Sequence, residues 1–496
     1  MPRRPNLLLI MSDQHTQKIA GCYGDPVIAT PNIDRLARRG VVFDNAYTTS
    51  PICVPARMSA LTGRHAFRQD CWTNTDYLAS DVPTFMHALG AAGYAPALVG
   101  RLHALGPDQL HGYVARTVGD HSPNWIGIPR HDMGVLTNTN EPERVSITRS
   151  GPGRSAYELK DVDVTAAAVA AIRDLGERGG AAKDQPFALT VGLMLPHAPF
   201  VAAPADYARY KDRVGRAKLP AAAPAVEHPW ISWWRANREI TAVPEAEEIR
   251  ARAAYYGLVD RMDRMIGEIL DALDASGLAE DTLVIYTSDH GDQIGERGLW
   301  WKHTFFDESI KVPMILSWPG HLPTGARRSQ VVNLMDLAAT MLDALGAPAL
   351  PDIDGRSFLA AARGGDAPWI DETFAEYCTD ETPVWTGGMA VRQRMIRAGS
   401  WKLSYYHGYR PQLFDLASDP HELVDLATDD RYAAIRDGLV ARVLADWDPL
   451  EVDRRMRRRA AQKALLGAWA RATHPQSSHL WRLTPDQNAL ADMPSA

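Results

Sequence analysis

The chain has 496 residues, 46% of them hydrophobic and 23% charged, which is enough for a large core and too long for a single simple one. Its net charge of −7 excludes the basic balance of a nucleic-acid binder, and no apolar run approaches membrane-spanning length. Its four cysteines, Cys22, Cys53, Cys71 and Cys378, have no paired spacing, which argues against a disulfide framework and for a reducing compartment.

Asn6 to Met11 is a continuous apolar run, the pattern of a central parallel strand buried on both faces. The stretch is too short for the core of a signal peptide and lacks a small-residue cleavage site, so a cytoplasmic location is expected. The run ends at Ser12-Asp13-Gln14-His15. Ligands of open α/β sheets bind beyond the carboxyl ends of strands, which makes Asp13 and Gln14 candidate ligands; a turn or cap role is the alternative for Asp13. Thr30 followed by Pro31 predicts a capped helix ending before Gly40. Val41 to Thr48 is the next strand, and it delivers Cys53. Pro55 fits the first turn of a short helix, which puts Cys53 at the N-terminus, where the dipole favours an anion. Arg57 lies one turn along the same face. By itself Cys53 reads as a buried small hydrophobe or a low-pKa thiolate.

Asn74 falls in a polar loop, and Asp81 to Leu89 reads as a capped helix. Ala95 to Val99 is a short strand ending at Gly100-Arg101-Leu102-His103. Residues 121–153, rich in Pro, Asn and Gly, predict a long loop over the site. Val162 to Leu175 is an Ala-rich helix. Phe187 to Met194 is a buried strand that runs into His197-Ala198-Pro199. Residues 219–244 carry His228, Trp230, Trp233 and Trp234 among prolines, which suits a hydrophobic clasp, a subunit contact or an aromatic wall for a substrate. Glu245 to Ala275 is a long helix with one apolar stripe, Tyr255, Val259, Met262, Ile266, Ile269 and Leu273. Thr282 to Thr287 is a strand ending at Ser288-Asp289-His290. Val331 to Leu345 reads as a helix. Past Pro368, Phe374 to Tyr377, Met395 to Arg397 and Trp401 to Tyr406 read as short strands. The basic run Arg454 to Arg459 reads as a solvated helix face.

Cys53-x-Pro55-x-Arg57 followed by Leu61-Thr62-Gly63-Arg64 resembles the signature of the type I, formylglycine-dependent sulfatases of the alkaline-phosphatase-like superfamily. Asp13-Gln14, His197-x-Pro199, Asp289-His290 and Gly298-Leu299-x-x-Lys302 agree with it. Gly100-Arg101-Leu102-His103 matches the family's Gly-Lys-x-His with arginine in place of lysine. The segment from Gly106 to Gly112 and the tail look like choline sulfatases, and Gln14 with His290 is similar to the choice made by choline sulfatases and phosphonate monoester hydrolases. The resemblance implies an α/β fold with a large, mostly parallel sheet sandwiched by helices and a smaller C-terminal α+β subdomain. The expected divisions are residues 1–368, 369–445 and a C-terminal extension, 446–496, that docks subunits of a homo-oligomer, a dimer or tetramer.

The activity implied is metal-dependent hydrolysis of small-molecule sulfate esters, with no nucleic-acid or membrane partner. Cys53 is then oxidised to formylglycine by a formylglycine-generating or equivalent maturation enzyme. Asp13, Gln14, Asp289, His290 and the modified Cys53 would hold one divalent ion; oxygen ligands suit Ca²⁺, and the His290 nitrogen tilts the choice toward Mn²⁺. Arg57, Arg101 and Lys302 supply positive charge, and Asn74 and Arg101 contact substrate. His103 is the candidate base for the second step, and His197 with Lys302 the candidate acid for the leaving group. The alternatives are a phosphonate monoester or phosphodiester hydrolase using the same site, and a binding homologue with unmodified Cys53.

Overall fold

The computed structural model describes residues 4–178, 185–223, 226–365, 368–380 and 390–491. Residues 1–3 and 492–496, to which the readings of the N-terminus and the tail extend, lie outside the described residues. The central layer is an eight-stranded sheet. Its order from one edge is Ala326–Asn333, Val41–Tyr47, Met314–Ser317, Thr282–Ser288, Asn6–Asp13, Phe187–Pro196, Ala95–Gly100, Ala115–Thr117. Met314–Ser317 is antiparallel to both neighbours, and the other seven strands run one way. Asn6–Asp13 is buried at every residue, with Leu7 opposite Ala188 on one side and Leu283 on the other.

The apolar run at the start of the chain serves two cores because successive side chains point to opposite faces. Leu8 and Ile10 pack with Val259, Met262 and Ile266 of the 31-residue helix Glu245–Ala275. Leu7, Leu9 and Met11 face the opposite core with Met58, Leu61, Phe85 and Leu337. The stripe expected on the long helix, Tyr255 to Leu273, is buried throughout.

Several boundaries differ from those read in the sequence. The helix expected to start at Val162 starts at Ala156, because Ser155 caps it by accepting from the Glu158 N–H. The helix expected from Asp81 starts at Phe85, with Thr84 and His87 forming a reciprocal cap. Val331 and Val332 close the strand Ala326–Asn333, and the helix begins only at Asp336. β-branched pairs favour the strand there. The 121–153 segment contains a four-residue helix, Val145–Thr148, and the start of the strand Gly151–Arg154.

Thr30 does not cap the helix Pro31–Arg38 with its side chain; its hydroxyl accepts from the Gly21 N–H at 2.8 Å. Asp263 does the capping from the long helix. Its carboxylate accepts from the N–H of Asn32 at 3.2 Å and of Ile33 at 2.8 Å, and burial pushes it up to about 6. Replacing Asp263 with Ala strands buried donors and is expected to cost ~1–3 kcal/mol in urea unfolding, with Asn losing less. Equal stability of Asp263→Ala and the parent chain refutes this capping role.

The smaller sheet is antiparallel, in the order Glu372–Cys378, Arg392–Ala398, Trp401–Tyr406, Gln412–Asp415. The Glu376 N–H donates to the Thr49 carbonyl, which ties it to the loop before Cys53. Trp230 and Trp234 of the helix Pro229–Asn237 are fully buried, and they contact Tyr377 and His303 respectively. They form the clasp rather than a substrate wall. The described part of the tail lies on its own chain. Its helix Pro449–Thr473 pairs Arg455 with Asp70 and Lys463 with Asp76, so only part of the basic run is a solvated face. Further on, the Trp481 N–H donates to the Asp120 carbonyl at 2.7 Å, and Ala489–Leu490 pairs with Gly151–Arg154. Among the described residues no helix is long and apolar enough to cross a membrane.

Candidate active site

The parallel strands deliver their next residues to one edge of the sheet. Asp13 closes the first strand, Arg101 and His103 follow Gly100, His197 follows Pro196, and Asp289 and His290 follow Ser288. Cys53 opens the helix Cys53–Thr62 beside them. Its Sγ lies 3.2 Å from His290 Nε2, 3.7 Å from Asp13 Oδ1 and 3.5 Å from Lys302 Nζ. Donor atoms of Asp13, Cys53, Asp289 and His290 all lie within 4.8 Å of one another, and all four residues are buried.

The chemistry of this donor set fits a divalent cation. His290 Nδ1 sits 3.1 Å from the Gly291 carbonyl, which can only accept, so the proton is on Nδ1 and the Nε2 lone pair faces Cys53. Arg57 takes the outer oxygen of each carboxylate: Nε donates to Asp289 Oδ2 at 2.9 Å, and a terminal nitrogen to Asp13 Oδ2 at 3.1 Å. The two Oδ1 atoms are left on the cluster side. Burial works against the charge on Asp13, but Arg101, His197, Arg57 and Lys302 outweigh it and hold the carboxyl well below its usual range. Gln14 has a left-handed φ of 68° and donates its backbone N–H to Asp289 Oδ1 at 3.0 Å. Its side chain spans Asp292 and Lys302, both at 2.5 Å.

The cationic side is equally enclosed. Arg101 donates through Nε to Asp13 and through a terminal nitrogen to His103 Nδ1 at 2.7 Å. Burial and the adjacent guanidinium push His103 well below its usual value, so the ring is neutral. Lys302 Nζ lies 3.1 Å from His197 Nε2, and His197 Nδ1 lies 2.6 Å from the Ala198 carbonyl. Asn74 Oδ1 accepts from the Val54 N–H at 3.0 Å, which caps the Cys53 helix from a separate loop. A cleft of about 140 Å³ opens above Cys53 and is lined by Asn74, Arg101, His103, His197 and Lys302. His121, Tyr157, Met133 and, from the tail, Leu483 also line it, and Arg130, His131 and Glu141 add charged or titratable groups to the wall.

The residues expected as metal ligands, catalytic groups and substrate contacts therefore lie together at this pocket, whereas His228 and the tryptophans of residues 219–244 do not line it. Asp120 was missed: it follows a strand of only three residues, Ala115–Thr117, too short to leave a pattern. Leu483 was missed because residues 474–488 have no periodicity to place them.

The chain matches the family profile described as sulfatase over residues 5–347, and that of the N-sulphoglucosamine sulphohydrolase C-terminal region over residues 295–447. It is 32% identical to a choline-sulfatase of Rhizobium meliloti (strain 1021) over 482 residues, 93% of this chain and 90% of that protein. It is 31% identical to the multifunctional alkaline phosphatase superfamily protein PehA of Trinickia caryophylli, over 87% of this chain and 93% of that one. The crystal structure of a phosphonate monoester hydrolase of Agrobacterium radiobacter superposes with a TM-score of 0.73 at 26% identity, covering 89% of this chain and 95% of the other. The profile spans well over half of the chain and the choline-sulfatase match nearly all of it, so the protein belongs to the sulfatase family, enzymes that hydrolyse sulfuric esters.

Proposed function

We propose that the protein hydrolyses small-molecule sulfate esters at Cys53 converted to formylglycine, with one divalent cation, Ca²⁺ or Mn²⁺, held by Asp13, Gln14, Asp289 and His290. The observation that carries this reading is the meeting of Cys53 Sγ with Asp13, His290 and Lys302, all within 3.7 Å, from segments far apart in sequence. The cation supplies Lewis acidity beside residue 53. Formylglycine would supply a hydrated aldehyde: attack of one hydroxyl on sulfur would displace the ester oxygen, and loss of the other hydroxyl's proton in a second step would release sulfate by C–O cleavage and restore the aldehyde.

The chain's own residues do the rest. Arg57 fixes both carboxylates. Arg101 and Lys302 face the equatorial oxygens, where charge is held through the transition state. Lys302 and His197 form the proton-donating pair for the leaving oxygen. The nucleophile end is buried, so these charges act without bulk-water screening. A cytoplasmic location and a homo-oligomer docked through residues 446–496 belong to the same proposal.

A second reading is a phosphonate monoester or phosphodiester hydrolase, favoured by the likeness to the Agrobacterium radiobacter structure and by Asn74 beside the nucleophile. Protein produced with a maturation enzyme decides between them. Mass spectrometry of the Cys53 peptide is expected to show a loss of about 18 Da, the thiol-to-aldehyde change. With that protein, kcat/KM for an aryl sulfate is expected to exceed that for a phenylphosphonate monoester. An intact thiol sinks the formylglycine reading, and the reverse rate order selects the second one.

A further inference from the structure

We infer that His103 acts as a hydrogen-bond donor through its Nε2–H and not as a base, and that Arg101 and Asp120 are the positioning residues that fix this tautomer. The inference rests on the sulfatase reading above and revises the role expected for His103 within it.

The geometry leaves His103 one option. A guanidinium only donates, and a terminal nitrogen of Arg101 lies 2.7 Å from His103 Nδ1. Nδ1 must therefore be the acceptor, and the single ring proton of the neutral imidazole sits on Nε2. His103 lines the cleft, so with Nδ1 occupied, Nε2–H is the polar atom it has to offer a substrate. To take up a proton, the ring would have to give up its bond to Arg101.

Arg101 cannot easily yield. Its Nε is held by Asp13, its other terminal nitrogen lies 3.6 Å from Asp120 Oδ1, and the side chain is buried. Asp120 also accepts the backbone N–H of Leu102 at 3.2 Å and of His103 at 2.8 Å. This pins a turn in which His103 has a left-handed φ of 60°. Arg116 anchors Asp120 in turn, at 2.6 Å. A lysine at position 101 carries one point charge and could not bond Asp13 and His103 from a fixed plane. The arginine thus does something the family's usual lysine does not.

His197 is the opposite tautomer. Its Nδ1 donates to the Ala198 carbonyl at 2.6 Å, so Nε2 offers a lone pair to Lys302 at 3.1 Å. One imidazole therefore presents an N–H to the cleft and the other a proton-accepting nitrogen. The proton balance closes with the second alone as the shuttle. The Lys302–His197 pair gives a proton to the leaving ester oxygen and, one proton short, regains one from the second hydroxyl as sulfate departs; the attacking hydroxyl's own proton goes to solvent, the one proton that sulfate-ester hydrolysis releases.

Four substitutions, three of His103 and one of Arg101, test this in the metal-loaded, aldehyde-bearing enzyme. His103→Gln places an amide N–H near the position of Nε2, His103→Asn nearer that of Nδ1, and His103→Ala removes both. With 4-nitrophenyl sulfate, Gln is expected within about tenfold of the parent enzyme, whereas Asn and Ala fall by ~10²–10³-fold, the usual loss for a deleted transition-state donor. Gln as slow as Ala overturns the donor role. The charged groups facing His103 are Arg101, Asp120, Asp13 and Arg57. Arg101→Lys removes the fixed donor, so in long-range ¹H–¹⁵N spectra its His103 ring should show an Nδ1–H population that the parent enzyme lacks. A wholly Nε2–H ring in Arg101→Lys overturns the tautomer-fixing role. Long-range ¹H–¹⁵N spectra of the parent protein read the tautomer directly, as an Nε2–H ring signal lost in His103→Gln; an Nδ1–H signal there overturns the inference. An enzyme with that Nε2–H signal but no sulfate-ester turnover instead counts against the sulfatase reading alone.

Discussion

Replacing Cys53 with alanine is expected to lower sulfate-ester turnover by roughly 10⁴-fold or more, as deletion of a reacting nucleophile does, while the protein still folds. The two halves of the expectation have separate causes. Alanine cannot be oxidised to an aldehyde, so nothing at position 53 can attack sulfur. The rest of the pocket survives because Cys53 itself holds little of it together. Arg57 binds Asp13 and Asp289, Gln14 binds Asp292, and Arg101 binds Asp13, all without the sulfur. The helix that starts at Cys53 is capped by Asn74 and ended by Gly63 in a left-handed conformation, again independently of the thiol. Losing one buried sulfur costs about 1 kcal/mol, at the small end of large-to-small core changes. Turnover and thermal unfolding measured on the same preparation check both halves, and turnover within tenfold of the parent enzyme refutes the assignment of Cys53.

The sheet and most of the pocket were legible because parallel strands buried on both faces advertise themselves. Asn6 to Met11, Phe187 to Met194 and Thr282 to Thr287 are uninterrupted apolar runs, and the residues just past each run are those the structure gathers at the carboxyl edge. A one-directional sheet turns that local pattern into a three-dimensional prediction, since every such end reaches the same side. Features that depend on partners distant in sequence were not legible. Thr30 looked like the cap of its helix, but the carboxylate that caps it, Asp263, sits on the face of another helix. Asn74 falls in a polar loop by sequence, and nothing there shows that its oxygen accepts from the Val54 N–H. The tail's return to the cleft at Leu483 leaves no trace in hydrophobic periodicity, because it is held by single backbone bonds such as Trp481 to Asp120. The tautomers of His103 and His197 are a matter of which neighbour donates, which spacing cannot convey.

Lys302→Met should separate charge from proton transfer at this site. Methionine keeps the length of the stem and removes the ammonium, so packing changes little. The backbone on either side is held independently: the Trp301 carbonyl accepts from Gln293, and the His303 N–H donates to Pro51. An alkyl sulfate leaves as a strongly basic alkoxide and needs a proton, so its kcat/KM is expected to fall by ~10²–10⁴-fold, the usual range for a lost general acid. A nitrophenyl sulfate leaves as a stable phenolate and needs none. It loses only the electrostatic contribution of one buried cation, with Arg57 and Arg101 still in place. The two esters should therefore diverge, and a plot of log kcat/KM against leaving-group pKa should steepen in the variant. Removing the ammonium also leaves His197 Nε2 with its lone pair and no donor, so His197, with its ring proton on Nδ1, cannot replace the lost acid. An equal loss for both esters at every pH would mean that Lys302 contributes charge alone, and that the proton for the leaving oxygen comes from somewhere else in the cleft.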